Sequence, residues 1–558
     1  MIRLEVAYRY PHRHLIDLVL HIPTNDAPTL RLQLPAWRPG RYELQNFARN
    51  IQQISATSET GKSLHLKRIA RNTWEVATEG AKQVQLHYNY FAKQLDAGGS
   101  WLDERLLYIN WINCTFYVEG RIDEPYQVQL QLPESYCISC GLEMPTPKCL
   151  QAADFYELVD APMMASPHLQ HRSYRVEGYS ANFHIWFYGD CMPDWDKIIA
   201  DFQKCTKVQL ELFGDFPASD FHFQFIIAPW QIYHGVEHRN STLIVLGPDA
   251  DFEEQYFYDN MLAIASHELF HFWNVCRIRP QELMPYDLTR EVYFPTGFIV
   301  EGITTFYGDW MLYKSGVWSF ERYLEEVNAQ LKKYAHNFGR KTMSLVEASY
   351  DLWTDGYSVG IPHRKVSIYN EGALAALLLH LWLLSTTQGK RSLDDVMRRL
   401  WQNYKTTGKG YTMEDYKKIV SEVAEQAMDD YFNRYIEATE DLAQAISQLA
   451  KAIHCQAETV PAPHAWERRF GMMLEKQAGH MLVTKIIPDS PADKVLAIKD
   501  KILSVNELVM QDLSEISLIM ERFSTVQLTV NRDERIHRVV LKADGKQYFS
   551  YTKLRQRF

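Results

Sequence analysis

The amino-acid sequence predicts a multidomain α+β protein with a β-sheet domain at the N-terminus, a mostly helical domain in the middle and a small β-rich module at the C-terminus. The chain has 558 residues, which exceeds a typical domain of roughly 150 residues several-fold. The spacing of apolar residues also changes twice along the chain, from a strand period to a helix period and back. With 46% hydrophobic and 23% charged residues, the composition is that of a folded globular protein.

The first part, 1–168, reads as an N-terminal β-sheet domain. Runs rich in alternating or β-branched residues are separated by Pro, Gly and Asn, which is typical of strands joined by turns. The segment Leu34-Pro-Ala-Trp-Arg-Pro-Gly-Arg-Tyr42 is rich in turn residues and predicts a loop. Strands are predicted at Arg3 to Tyr10, Leu15 to Ile22 and Val84 to Tyr90.

The middle part, 169–458, begins with strands and becomes helical. Helices are predicted at Asp194 to Phe213 and Gln255 to Cys276, and the helical pattern continues to about Ile453 with loops in between. The segment Val460-Pro-Ala-Pro-His464 predicts a linker. Residues 466–558 return to short strands and form the third part.

Charge and sequence signals narrow the function classes. The formal net charge is −10, and we therefore expect no nucleic-acid partner, because such proteins carry a basic excess. The N-terminus lacks a basic stretch followed by an apolar run, so no signal peptide is expected. The longest apolar run, Ala373 to Leu384, contains His380 and is too short to span a bilayer. We expect a cytoplasmic protein without a membrane span.

A metal site is predicted by His267-Glu268-Leu269-Phe270-His271, an H-E-x-x-H motif inside a predicted helix. Residues four apart lie on one face of a helix, so both imidazoles can reach one ion. Zinc suits two neutral imidazole nitrogens plus a carboxylate, with a fourth position open for water. Glu268 is placed to act as a base rather than a ligand. The alternative is a buried helix whose two histidines are satisfied by hydrogen bonds.

The third ligand is predicted to be Glu301, which follows His271 by thirty residues and lies in the stretch Gly297 to Tyr307. A carboxylate in an otherwise apolar helical stretch is costly unless it is paired or metal-bound. Thr304, Thr305 and Asp309 follow at positions from which they can orient the histidine rings. The alternative for Glu301 is a buried salt bridge.

Two further segments are candidates for substrate contacts. In His234-Gly235-Val236-Glu237-His238, a carboxylate at a strand edge can hold the ammonium group of a substrate N-terminus. The hydroxyl of Tyr369, which precedes the apolar helix, can donate to the oxyanion of a tetrahedral intermediate. Locally, each residue has an ordinary alternative: a solvated carboxylate for Glu237 and a capping or packing ring for Tyr369.

These segments, in this order, resemble the glycyl aminopeptidase family of gluzincin zinc metallopeptidases, which carries a C-terminal PDZ domain. The four matching site segments are His234 to His238, His267 to Asn274, Glu301 to Asp309 and Tyr369 to Gly372. Two N-terminal segments, Leu34 to Tyr42 and Phe47 to Asn50, also resemble that family. The resemblance extends over essentially the whole chain. It implies a thermolysin-like catalytic domain in 169–458 and a PDZ-like domain in 466–558.

The resemblance also implies an activity and roles for the site residues. His267, His271 and Glu301 bind one zinc ion per chain, Glu268 is the general base and Tyr369 stabilises the oxyanion. Glu237 and Gly235, with His234, form the end of the site that receives the substrate's free N-terminus. The expected substrates are peptides with a small first residue, glycine or alanine.

This chain departs from the family pattern at two positions. His234 replaces a glycine, and we expect its ring to disfavour large first side chains if it faces the pocket. Glu371 replaces a lysine and adds a negative charge two residues after Tyr369.

The C-terminal module carries a PDZ-like pattern of its own. Arg469 to Leu474 stands where a carboxylate-binding loop leads into a strand, and such domains bind a peptide as an added strand. The module can therefore bind a peptide or make an intramolecular contact as a lid.

Two other functions fit the sequence. One is a zinc endopeptidase, which would not need Glu237. The other is a weakly active binding protein that recruits partners through the PDZ-like module. A structural zinc site usually has four protein ligands, whereas only three are found here beside a base, and this favours an enzyme.

Overall fold

A computed structural model describes residues 1–358, 360–405, 408–510 and 512–557. The chain forms two compact units. The first contains Met1–Phe320, Ser349–Ser358 and Leu393–Gln426, and the second contains Glu321–Ala348, Val359–Ser392 and Ala427–Phe558. The three-domain division at 1–168, 169–458 and 466–558 stays a prediction.

The N-terminal part of the first unit is built of strands, as the sequence predicts. Its strands are β1 Ile2–Ala7, β2 Leu15–Pro23, β3 Thr29–Gln33, β4 Ile51–Ser58, β5 Ser63–Leu64, β6 Leu66–Ala70, β7 Thr73–Ala77, β8 Gln83–Phe91, β9 Lys93–Gln94, β10 Ser100–Leu102, β11 Leu107–Ile109, β12 Tyr117–Val118, β13 Tyr126–Leu130, β14 Cys137–Cys140, β15 Glu143–Thr146, β16 Cys149–Ala152 and β17 Met163–Ser166.

These strands form three sheets around one apolar core. The largest has eight strands in the order β15-β16-β13-β1-β2-β8-β4-β5. Strand β1 pairs in parallel with β13 and antiparallel with β2. Alternate residues of the strands are buried, as in β8, where every second residue from Val84 to Tyr90 points into the core. The loop predicted at 34–42 lies between β3 and β4.

A five-stranded sheet follows, in the order β18-β19-β20-β22-β21. The strands are β18 Gln170–Arg175, β19 Asn182–Tyr188, β20 Asp220–Ile227, β21 Ile232–Glu237 and β22 Ser241–Gly247. Strands β19, β20 and β22 are parallel, whereas β21 is an antiparallel edge strand. This places the end of β21, with Glu237, at an edge of the sheet.

The helices before and around this sheet belong to the first unit. They are α1 Phe155–Val159, α2 Trp195–Phe213, α3 Gln255–Phe270 and α4 Thr304–Lys314, with α7 Leu352–Asp355, α9 Leu393–Tyr404 and α10 Met413–Ala424 further along the chain. The Asp194 side chain caps α2 by accepting from the Lys197 N–H, and Gly214 ends α2 in the left-handed conformation.

The helix predicted to reach Cys276 is shorter, because α3 ends at Phe270. His271 follows it with φ −61°, and Val275 then takes φ 116°, a region that β-branched residues rarely adopt. The chain leaves the helix direction so that the side chain of His271 and the backbone of Asn274 meet. Periodicity alone does not reveal such a turn.

The remaining elements lie mainly in the second unit. The helices are α5 Phe320–Ala335, α6 Leu345–Tyr350, α8 Asn370–Thr386, α11 Asp429–Tyr431, α12 Leu442–Leu449, α13 Ala465–Arg468 and α14 Leu513–Arg522. The strands are β23 Cys455–Val460, β24 Met472–Gln477, β25 His480–Ile486, β26 Lys501–Val505, β27 Leu508–Val509, β28 Thr525–Arg532, β29 Arg535–Lys542 and β30 Tyr551–Gln556.

The C-terminal segment has a sheet and an apolar core of its own. Strands β24, β25, β26, β28 and β29 pair in that order, and β27 pairs with β26. Trp466, Phe470, Ile516 and Val530 are among the buried residues of this core. The assignment of this segment as a PDZ-like domain stays a prediction. Among the described helices, none combines the length and apolar character needed to cross a bilayer.

Candidate metal centre and active site

Two histidines and one carboxylate converge at the end of α3. The Nε2 atoms of His267 and His271 lie 3.0 Å apart. Glu301 Oε2 lies 3.3 Å from His271 Nε2 and 3.8 Å from His267 Nε2. One potential ligand atom from each of the three residues lies within 4.8 Å of the others. Two imidazole nitrogens and a carboxylate oxygen facing one point are a donor set that suits zinc.

A hydrogen bond from Nδ1 orients the ring of His271 toward the other two residues. Its Nδ1 lies 2.7 Å from the carbonyl oxygen of Asn274, and since a carbonyl only accepts, Nδ1 carries the proton. Nε2 is then the nitrogen that faces the shared point. The Asn274 side chain donates to Ile299 O, Val300 O and Thr304 Oγ1. Asn274 thereby ties the segment after α3 to the segment that carries Glu301.

Glu301 lies in a π-helical turn, Phe298–Ile303, which continues directly into α4. Such turns are rare and are frequent at functional sites. Thr305, one of the residues expected to support the metal site, donates to Glu301 O at 2.8 Å. Thr304 donates to Val300 O at 2.7 Å and lies 3.5 Å from His271 Nδ1. Both threonines therefore brace the turn more than they orient the rings.

Gly308 brings α4 close to α3. A Cβ atom at Gly308 would lie 3.2 Å from His267 Cβ, which is tighter than side chains normally pack. The backbone of α4 also accepts a hydrogen bond from Ser266, whose Oγ lies 2.8 Å from Gly308 O. The absence of a side chain at position 308 thus allows the helices that carry His267 and Glu301 to meet.

Glu268 lies beside this cluster and is buried, with 5% of its surface exposed. One of its carboxylate oxygens lies within 4.8 Å of ligand atoms of Glu237 and His271. Gly235 of β21 packs on the carboxylate, because a Cβ there would lie 2.3 Å from Glu268 Oε1. Burial raises the pKa of Glu268 well above its ordinary value, with His271 acting in the opposite direction. A carboxyl group with a raised pKa is suited to accept a proton and return it.

Glu237 ends β21 and is buried against the loop that precedes β4. A Cβ at Gly40, whose φ is +77°, would lie 2.6 Å from Glu237 Oε2. Glu237 Oε1 has no hydrogen-bond partner in the described part of the chain. Burial raises the pKa of Glu237, opposed chiefly by His271. A buried carboxylate oxygen without a donor is well suited to accept one from a ligand.

His234 does not share the cavity that Glu237 borders. Its Nδ1 accepts the backbone N–H of Ala97 at 3.2 Å and lies 3.9 Å from Asp96 Oδ1. Strand alternation explains this, because residues 234 and 236 face one side of the sheet while 235 and 237 face the other. We expected the ring of His234 to disfavour large first side chains only if it faces the pocket, and the ring lies outside this cavity.

Tyr369 lies in the second unit, directly before α8. Glu371, at the start of α8, accepts hydrogen bonds from Asn337 Nδ2 at 2.6 Å and from the backbone N–H of Ser367 at 3.2 Å. Burial raises the pKa of Glu371. The negative charge that replaces the family's lysine is therefore held by its own neighbours. The catalytic role of Tyr369 stays a prediction.

The loop Trp37–Tyr42 supplies residues that the sequence analysis did not place in the site. Tyr42 is buried, and burial raises its pKa well above the ordinary value, with Glu301 contributing next. Trp37 Nε1 donates to Asp287 O at 2.8 Å and fixes the loop. The resemblance includes this loop, but its contacts with Asp287 and Glu301 lie about 250 residues further along the chain, and no local pattern indicates them.

Two sequence models of one peptidase family match the chain. The Peptidase M61 N-terminal domain matches residues 3–167, and M61 glycyl aminopeptidase matches residues 260–375. The second match contains His267, His271, Glu301 and Tyr369. The resemblance stated from the sequence is confirmed. No curated protein sequence matches the chain.

Solved structures similar to this chain include peptidases. A crystal structure described as an aminopeptidase N family protein from Idiomarina loihiensis is 25% identical, covers 100% of this chain and 98% of its own, and gives a TM-score of 0.92. An M1 zinc metallopeptidase from Deinococcus radiodurans is 13% identical, covers 77% of this chain and 92% of its own, and gives a TM-score of 0.47.

Proposed function

Because this chain belongs to the M61 glycyl aminopeptidase family, and is thus a metallo-aminopeptidase, we propose that it uses zinc to remove small first residues, glycine or alanine, from peptides with a free N-terminus. The observation that carries the proposal is the convergence of His267, His271 and Glu301 beside two further buried carboxylates, Glu268 and Glu237. The first three residues offer the ligands, and the other two offer a base and an anchor.

His267, His271 and Glu301 would hold the zinc ion. Burial lowers the pKa of His267 well below its ordinary value, so its ring is neutral and can act as a ligand. When bound, zinc supplies Lewis-acid chemistry, polarising the scissile carbonyl and making a water molecule more acidic. The donor set is incomplete for a closed structural site, which favours a catalytic one.

Glu268 would move the proton. It lies next to the ligands without belonging to the converging set, and its raised pKa matches a group that takes a proton from water and passes it to the leaving amine. Its burial excludes bulk water from the proton path.

Glu237 would hold the substrate's ammonium group. Its unpartnered Oε1 offers an acceptor, and its carboxylate lies close to both His271 and Glu268. An ammonium group held there leaves only the first peptide bond within reach of the base. Tyr369 is proposed to stabilise the oxyanion, on the resemblance alone. The C-terminal segment is proposed to be a PDZ-like module that binds a peptide or covers the site.

The experiment that tests this function compares a glycyl-peptide amide with its N-acetylated form on the zinc-loaded protein. Acetylation removes the positive charge, so we expect kcat/KM to fall by at least about 100-fold. The isosteric variant Glu237→Gln should lose most of this discrimination, whereas Glu282→Gln, an exposed glutamate of the same unit, should keep it. Equal cleavage of the free and acetylated peptides would instead identify an endopeptidase.

A further inference from the structure

A cavity of about 370 Å³ lies in the first unit and is bordered by Glu237. This volume is in the range of small-molecule binding pockets. The cavity wall contains none of the three metal ligands and not Glu268. Glu237 is therefore the point where the metal centre and the cavity meet, and the cavity extends from Glu237 away from the metal ligands.

Four arginines line this cavity: Arg38, Arg239, Arg277 and Arg279. In the described part of the chain, none of their guanidinium groups lies within 4.0 Å of a carboxylate oxygen. Four unpaired arginines around one cavity are unexpected in a protein whose net charge is −10, because guanidinium groups normally take carboxylate partners when they leave water.

Three of the four guanidinium groups are held by carbonyl oxygens, an amide oxygen or aromatic rings. Arg38 is only 2% exposed, and its Nη1 donates to Pro39 O at 3.2 Å. Arg277 donates to the carbonyls of Arg239 and Phe272 and to Asn240 Oδ1, and its guanidinium carbon lies 3.5 Å from the centre of the Phe272 ring. Such contacts orient a guanidinium group and leave its charge available.

Arg279 and Arg239 complete the set. Arg279 donates to Val275 O and Cys276 O, and its guanidinium carbon lies 4.0 Å from the centre of the Tyr286 ring. The side chain of Arg239 makes no hydrogen bond or ion pair with the described residues, and it is exposed.

Of the four carboxylates in the same wall, all but Glu237 accept a backbone N–H. Asp154 accepts from the backbone N–H of Glu157, and Glu157 accepts from the backbone N–H of Ala153. Asp160 lies 3.0 Å from His238 Nδ1 and accepts from the backbone N–H of Arg239. The remaining cation, Lys405, is paired with Asp215 at 2.7 Å. None of the carboxylates in this wall lies within 4.0 Å of the four guanidinium groups, which therefore remain able to pair with a carboxylate of a ligand.

We propose that this arginine-lined cavity is the pocket for the first side chain of the substrate and that it accepts a carboxylate, so that aspartate and glutamate are cleaved as first residues besides glycine and alanine. The proposal rests on the proposed function, in which Glu237 holds the ammonium group. The first side chain leaves the carbon atom that carries this group, so it begins next to Glu237, where the cavity also begins.

The test measures kcat/KM of the zinc-loaded, full-length protein for Gly-, Ala-, Glu- and Gln-amide reporters. Glutamate and glutamine have nearly the same size, so their ratio isolates the charge. We expect the glutamyl reporter to be cleaved at least about tenfold better than the glutaminyl one. A ratio of one or less would overturn the proposal.

Variants then assign the effect to the cavity. Arg239→Gln should lower the Glu/Gln ratio several-fold, and because this side chain is exposed and unbonded, the fold should be unaffected. Arg279→Gln should lower the ratio further, and Arg279→Lys, which keeps the charge, should restore part of it. The control Arg172→Gln removes an exposed arginine from β18 and should leave the ratio unchanged. An unchanged ratio in both Arg239→Gln and Arg279→Gln would contradict the proposal.

The outcomes separate this inference from the proposed function. If no free aminoacyl reporter is cleaved, the proposed function fails. If the glycyl and alanyl reporters are cleaved but the Glu/Gln ratio is one, only the present inference fails. If the ratio is one while glutarate inhibits cleavage of the alanyl reporter and Arg239→Gln relieves that inhibition, the cavity serves a free dicarboxylate, and the side-chain proposal is wrong.

Discussion

Glu268 shows how much of the chemistry is decided by single residues. It is adjacent to His267 in sequence, yet its carboxylate groups with Glu237 and His271 and not with His267 and Glu301, and it lies under Gly235 of the edge strand. Its burial, and not its sequence position, raises its pKa. The same carboxylate on a solvated helix would have an ordinary pKa.

The variant Glu268→Gln should keep zinc bound and reduce turnover by about 10²- to 10⁴-fold, the usual effect of losing a general base. The shape of the side chain is retained, so the thermal midpoint should change little. Kinetics with a glycyl-amide reporter, together with metal analysis of the same sample, check both statements. The control Glu254→Gln changes an exposed glutamate immediately before α3 and should be silent. Near-normal activity of Glu268→Gln would remove this residue from the mechanism.

At the scale of secondary-structure elements, the metal centre depends on how closely two helices approach. Helix α3 carries His267, and the π-helical turn that leads into α4 carries Glu301. The contact of Gly308 with His267 allows this approach. Ser266 adds a hydrogen bond to the same backbone position.

Gly308→Ala should therefore weaken zinc binding while the protein stays folded. A methyl group 3.2 Å from His267 Cβ must push the two helices apart by a few tenths of an ångström, and the ligands move with them. We expect the zinc dissociation constant, measured by competition with a chelator, to rise about tenfold, the low end of the loss seen when support around a metal is disturbed. Ser315→Ala, just after the same helix, is the control. Equal zinc affinity in both variants would show that the contact is not limiting.

The five-stranded sheet carries a second histidine group, away from the metal centre. His222 on β20 stacks on His184 with ring centres 4.6 Å apart, and its Nδ1 accepts from Trp186 Nε1 at 3.1 Å. His184 in turn contacts His171 and Asp220. Burial lowers the pKa of His222 to about 3, so the folded protein keeps this ring neutral.

This group predicts acid sensitivity. As the pH falls below about 6.5, the pKa of a histidine in an unfolded chain, the unfolded state gains a proton at His222 that the folded state does not bind. The stability from this ring is complete above pH 6.5 and is lost progressively toward pH 3. The thermal midpoint should decrease as the pH is lowered from 7.5 to 5.0. The decrease should be smaller in His222→Gln, which keeps an acceptor for Trp186. His480→Gln, an exposed histidine, should match the wild type; equal falls in all three proteins would contradict the prediction.

At the scale of the whole molecule, the metal centre links binding to folding. Glu237, Glu268 and Glu301 are buried together, and like charges that share a site destabilise one another. A bound cation compensates this repulsion and binds only the folded state, so it stabilises the protein as a whole.

Removing zinc should lower the thermal midpoint. A free-metal concentration 100 times the dissociation constant contributes about 2.7 kcal/mol, so a chelator should shift the midpoint by several degrees, and added zinc should restore it. In Glu301→Gln, which lacks one ligand, the chelator should have a much smaller effect. Full zinc content in that variant would mean that another residue is the ligand, with Asp309 the first to examine.

Part of the metal centre can be predicted from the sequence because the geometry that forms it is local. The four-residue spacing of His267 and His271 and the isolated carboxylate of Glu301 predict the ligand set, and the structure brings these residues together. Glu237, expected at a strand edge, ends the edge strand β21. Successive residues of a strand face opposite sides of the sheet, so His234 faces away from the side on which Glu237 lies.

Other features were decided only by the tertiary structure, because they join segments far apart in the chain. Gly40 meets Glu237 across about 200 residues, and the cavity collects arginines from β21's end, from the segment after α3 and from the N-terminal loop. The turn that brings His271 to Asn274 O interrupts an apolar pattern that continues past it. Local propensity governs helices, strands and their faces, whereas close approach and shared burial depend on how distant elements pack.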